Sequence, residues 1–147
     1  MPSFFQRTYG VTTISDATAT VDVNAHLGMP IVVNRAAGCT LTLPEATGSG
    51  NRYEFIGAID ATGNQIIKVA NADDTMAGVA FLGNDSAGAS CFYTAATSDT
   101  ITLDGSTKGG KKGWRVECID SADNTWTVLG MSEASGTEAT PFSATVS

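Results

Sequence analysis

The clearest pattern in the chain is the alternation of apolar and polar positions over residues 114–129. Trp114, Val116 and Cys118 fall on one side of an extended chain, with Arg115 and Glu117 between them. After the polar turn Asp120-Ser121-Ala122-Asp123-Asn124, Trp126 and Val128 share one side and Thr125 and Thr127 the other. A period of two broken by a turn predicts a β-hairpin with one half-buried face. Upstream, windows rich in Thr and Val, which suit a pleated surface, predict short strands near 10–15, 19–23, 30–34, 39–43, 52–57, 64–70, 77–82, 90–94 and 99–104. Thr47-Gly48-Ser49-Gly50, Ala61-Thr62-Gly63-Asn64 and Gly83-Asn84-Asp85 supply turns between them. Gly and Pro recur too often for three-turn helices, and the two longest uninterrupted stretches, 11–27 and 114–129, do not look helical. Many strands at a spacing of roughly 8–12 residues predict an all-β fold, an antiparallel β-sandwich or barrel of jelly-roll-like type.

Both ends break this pattern. Residues 1–9 carry Phe4, Phe5 and Tyr9 without alternation and read as an extended N-terminal arm. Residues 132–147 are small and polar and read as a C-terminal tail, which leaves 10–131 as the β-domain. No repeat of 20–50 residues is visible, which argues against a propeller or solenoid. At 147 residues the chain suffices for one domain with its own core.

Composition narrows the function. Charged residues make up 16% and hydrophobic ones 42%, which argues against disorder along the whole length. A surface of Thr, Ser, Ala and Gly, with few charges, is expected of a protein that works in an assembly. The net charge of −7 disfavours nucleic acid as a partner, because neutralised phosphates supply most of that affinity. No run of 18 or more apolar residues exists, so no membrane-spanning helix is expected, and MPSFFQRTYG does not read as a secretory signal. Cys39, Cys91 and Cys118 form no C-x-x-C pair and sit in apolar, strand-like windows. They are expected as buried free thiols in a reducing compartment.

Candidate chemistry is sparse. His26 is the only histidine, and no nucleophile elbow accompanies any Ser or Cys, so an enzyme is not expected. One histidine cannot supply a three-histidine metal centre, and neither Asp120–Asn124 nor Asn71-Ala72-Asp73-Asp74 has full EF-hand spacing. No metal and no cofactor is therefore expected. Gly48-Ser49-Gly50 precedes a strand and not a helix, so it reads as a tight turn and not as a phosphate loop. Trp114 and Trp126 read as core packing in preference to a sugar-stacking platform. The window 108–115 is unusual: Lys108, Lys111, Lys112 and Arg115 are half of all the basic residues. It reads either as a solvated hairpin loop or as a contact loop for an acidic neighbour.

One stretch carries a resemblance. Thr42-Leu43-Pro44-Glu45-Ala46-Thr47-Gly48-Ser49-Gly50, followed by Tyr53-Glu54-Phe55, is similar to a "TLPxATGSGxxYxF" signature of small structural proteins of tailed bacteriophages. Ile67–Ala72, Gly78–Phe81, Ser98–Leu103, Trp126–Gly130 and Ala139–Phe142 resemble the same group, in order, over residues 39–142. The proteins concerned are head decoration, or cement, proteins, commonly trimeric, with no catalytic residues to carry over. The resemblance implies a virion structural protein on the outer capsid surface, made in the host cytoplasm, that stabilises the assembled head. Its partners would be the major capsid protein and itself as a homotrimer, with no nucleic acid and no membrane. Phe4, Phe5, Tyr9, Lys108, Lys111, Lys112 and Arg115 are the candidate capsid contacts. The alternative is another virion part, a fibre or appendage module that binds a host surface glycan.

Overall fold

The computed structural model describes residues 10–147, and the arm read over residues 1–9 lies outside them. Twelve strands follow one another: β1 (Thr12–Ile14), β2 (Thr18–Thr20), β3 (Ile31–Val33), β4 (Cys39–Thr42), β5 (Arg52–Gly57), β6 (Gln65–Lys68), β7 (Thr75–Gly83), β8 (Ala89–Tyr93), β9 (Thr100–Leu103), β10 (Arg115–Ala122), β11 (Thr125–Glu133) and β12 (Phe142–Ser143). One helical turn, α1 (Val23–His26), interrupts them where the sequence suggested only a strand end. Its cause is local. The Asp22 carboxylate accepts from the N–H groups of Asn24 and Ala25, and the Asp22 N–H donates to Nδ1 of His26, so the first free N–H groups of the turn are capped.

The strands form a seven-stranded sheet in the order β1-β3-β5-β10-β11-β7-β8 and a five-stranded sheet in the order β12-β9-β6-β4-β2. The all-β sandwich expected from the alternation is thus present. Its sheets are mixed, however, and not purely antiparallel. β1, β3 and β5 run parallel in one sheet, and β2, β4 and β6 run parallel in the other. Parallel neighbours need a crossover, and here each crossover is a strand of the opposite sheet. The first half of the chain therefore winds as a coil of three turns. Thr12, Ile31 and Phe55 stack at equivalent positions, as do Thr18, Thr40 and Ile66. The turns differ in length, which leaves no period in the sequence. From β7 onward antiparallel pairs dominate, including the hairpin β10–β11, while β7 runs parallel to β11.

The core lies between the sheets and is built by the inward positions of both. Trp114, Trp126, Tyr53, Phe55, Ile31, Leu41, Leu43, Ile67 and Val116 are among its fully buried members. Tyr53 and Trp126 touch across β5 and β11 with ring centroids 6.0 Å apart. Trp114 lies over Gly57, where a Cβ would fall 2.1 Å from the indole nitrogen, so the indole occupies the space that any other side chain would need. Both tryptophans are core residues and not an exposed platform. Cys39 and Cys118 are buried as expected, but Cys91 is exposed. It sits on edge strand β8 with its side chain on the outer face, where apolar neighbours in sequence do not bring burial.

The segment read as a tail closes the sandwich. Ala134 and Phe142 are buried, and β12 pairs with β9. Buried Asp99 accepts from the N–H groups of Thr145, Val146 and Ser147 and from the hydroxyls of Thr100 and Ser147. Burial pushes its carboxyl up, and these five donors together overcome that and hold it at about 2.

Candidate interaction surface

The loop Thr47–Gly50, the centre of the sequence signature, is organised by a carboxylate from the far hairpin. Asp120 accepts from the N–H groups of Thr47, Gly48 and Ser49 and from the hydroxyls of Thr47 and Ser49, the last at 2.6 Å. Gly48 and Gly50 take positive φ, +73° and +77°, which lets successive N–H groups converge on one anion. Burial raises the Asp120 carboxyl, and these hydrogen bonds outweigh it, so the group stays below its ordinary range. Asp74 continues the arrangement by accepting from the Ala46 N–H. What this glycine loop holds is the chain's own side chain. The sequence reading placed Asp120 in an exposed turn. It lies inside β10 and is 2% exposed, while the turn itself narrows to Ala122–Thr125 after a bulge.

The remaining candidates for chemistry are also absorbed into the fold. His26 is buried, its Nδ1 taken by the Asp22 N–H. Asn71 caps its own turn by accepting from the N–H groups of Asp73 and Asp74. Among the described residues no group of three or more His, Cys, Asp or Glu side chains is placed to hold a metal ion.

The basic window is divided between two places. Lys108 to Lys112 form a loop whose backbone is stitched to its surroundings. Lys108 N–H donates to Asp104, Gly110 N–H to the Ser132 hydroxyl, and Lys112 N–H to Asp60 at 2.6 Å. Gly109 and Gly110 are buried, whereas Lys112 is exposed. The loop is a fixed platform and not a free hairpin tip. Arg115 stands apart on the outer face of the seven-stranded sheet, 2.7 Å from Glu54. Glu54 lies opposite Glu117 in the β5–β10 ladder, and Arg52 and Arg115 flank them, with Arg52 3.7 Å from Glu117. This quartet is neutral overall. Phe4, Phe5 and Tyr9 lie outside the described residues.

The feature that sequence reasoning missed is the other half of the same face. Val79 and Phe81 of β7, Cys91 and Tyr93 of β8, and Leu129 and Met131 of β11 all point outward, in adjacent rows of the ladder. Phe81 is 41% exposed, Met131 53% and Tyr93 73%. A shallow groove of about 250 Å³ runs where this strip meets the charged quartet, lined by Arg115, Glu117, Leu129 and Met131. A signal existed: Val79-Ala80-Phe81-Leu82 and Val128-Leu129-Gly130-Met131 carry apolar side chains on both strand faces. The outer face of the five-stranded sheet differs, for there Thr18, Thr20, Thr40 and Thr42 line a groove together with Lys68.

No protein-family model matches the chain, and no curated protein or solved structure matches it.

Proposed function

We propose that the protein is a virion structural component, a decoration protein that binds the outer surface of an assembled phage head and stabilises it without chemistry. The observation that carries the reading is the outer face of the seven-stranded sheet. A neutral charged quartet and a contiguous apolar strip lie side by side on a rigid sheet, the combination expected of a protein-docking surface. The similarity of Thr42–Phe55 to the phage signature supports the same reading, and that segment forms the fixed Asp120-bound loop and the start of β5. The loop of Lys108, Lys111 and Lys112, its backbone held by the carboxylates of Asp104 and Asp60, offers an acidic shell three basic side chains, and residues 1–9 add Phe4, Phe5 and Tyr9 as further contacts. Stripping the protein from particles, adding it back and heating them tests the proposal. Decorated particles should retain DNA to a higher temperature, and equal retention with and without the protein would overturn it.

The second reading, a glycan-binding appendage module, draws on Phe81 and Tyr93, exposed aromatic rings on one face. Binding to a host surface glycan that is lost in Tyr93→Ala, with no attachment to heads, would favour it.

A further inference from the structure

The seven-stranded sheet ends, on its β8 side, in an edge without the usual protection. Edge strands present unpaired N–H and C=O groups and are normally blunted by shortness, charge or proline. Of the four edge strands among the described residues, β1 and β2 have three residues and β12 has two. β8 has five. Residues 86–98, thirteen in succession, include no charged residue and no proline. The phase of the ladder shows which groups are free. Thr94 N–H donates to the Gly78 carbonyl and Asn84 N–H to that of Gly88, with Val79 opposite Tyr93. Antiparallel alternation then turns the backbones of Ser90 and Phe92 toward β7 and those of Ala89, Cys91 and Tyr93 away from it.

We propose that β8 pairs antiparallel with β8 of a second copy, about a two-fold axis at Cys91. In that register Ala89 faces the partner's Tyr93, Tyr93 faces the partner's Ala89, and Cys91 faces the partner's Cys91. A large side chain meets a small one at both ends, and every outward N–H and C=O of the three residues finds an acceptor or donor. Charge selects a second copy as the occupant. Two chains of net charge −7 repel wherever carboxylates oppose each other. β7, β8 and β11 up to Ser132 carry no charge of their own, and the carboxylate that reaches β8, Glu138, is half-buried and takes the Ser90 hydroxyl on the side of buried Leu82, so the copies meet along an edge whose outward groups are uncharged. An isologous contact closes at two copies, and not at the three that the resemblance implies. The inference stands independently of the shell reading.

Sedimentation of the full chain over a concentration series, with hydrogen exchange of the β8 amides, tests it. A dimer is expected, with the amides of Ala89, Cys91 and Tyr93 exchanging slowly. Cys91→Pro removes an N–H that no intramolecular bond uses, so the variant should keep its melting temperature and sediment as a monomer. Phe92→Pro removes a bond to β7 and should lower the melting temperature. Should Cys91→Pro fail to fold, Tyr93→Lys, which puts a charge on the edge, gives the same readings. Diamide, which takes up the two electrons and two protons released by a pair of thiols, should link two chains through Cys91 and none in Cys91→Ser, because a hydrogen-bonded pair sets its Cα atoms about 5.5 Å apart. A monomer at all concentrations, an odd-numbered assembly, or an assembly that Cys91→Pro and Tyr93→Lys leave intact would overturn the proposal.

Discussion

Acid should loosen the C-terminal segment before the rest of the sandwich, through Asp99. This carboxylate is 1% exposed and gathers three consecutive backbone N–H groups, those of Thr145, Val146 and Ser147, together with two hydroxyls. Its carboxyl falls from an ordinary 3.8 to about 2, because these donors outweigh the cost of burial. Each unit corresponds to 1.36 kcal/mol of preference for the charged form, so the folded state gains about 2 kcal/mol from an ionised Asp99. The sign follows from which state takes up the proton first. The unfolded chain protonates near pH 4 and the folded one near 2, so the gain is complete above about pH 4 and is lost as pH falls toward 2. Urea unfolding between pH 7 and pH 2 should show this fall in the native chain. In Asp99→Asn, stability at pH 7 should already be lower by about that amount, and the decline below pH 4 shallower. Hydrogen exchange at Thr145, Val146 and Ser147 should quicken first. Parallel decline of the two proteins between pH 4 and pH 2 would refute the assignment.

Asp120→Ala leaves the N–H groups of Thr47, Gly48 and Ser49 without their acceptor and should cost about 3 kcal/mol in urea unfolding. The exchange of those three amides should rise with it. Gly57→Ala puts a Cβ into the Trp114 indole and should cost about 3 kcal/mol with altered tryptophan fluorescence. Replacing Lys108, Lys111 and Lys112 with Ala should leave the melting temperature unchanged and flatten the salt dependence of attachment to particles, since exposed charges act within a Debye length near 10 Å at about 0.1 M salt. Arg115→Ala should change stability by about 1 kcal/mol or less in the same unfolding assay, because its pair with Glu54 is partly exposed.

Local sequence by itself determined strands β1 to β11, the hairpin β10–β11 and which side of those two strands turns inward, because a period of two and β-branched residues act over a few neighbours; β12 fell in the segment read as a tail. It placed Trp114, Trp126, Val116 and Val128 in the core for the same reason. Tertiary structure decided the rest. The winding of β1–β6 into parallel pairs depends on crossovers through the opposite sheet, and turns of unequal length leave no period to read. The role of Asp120 was hidden because its partners lie more than seventy residues away, and an aspartate beside Ser, Ala, Asp and Asn looks like a turn until those donors arrive. Asp99 was hidden likewise by its distance from Thr145–Ser147. Cys91 looked like a core residue because apolar neighbours in sequence do not reveal an edge. Whether a strand is central or at the edge is set by which segments pair with it, and that pairing is a long-range choice that no window along the chain contains.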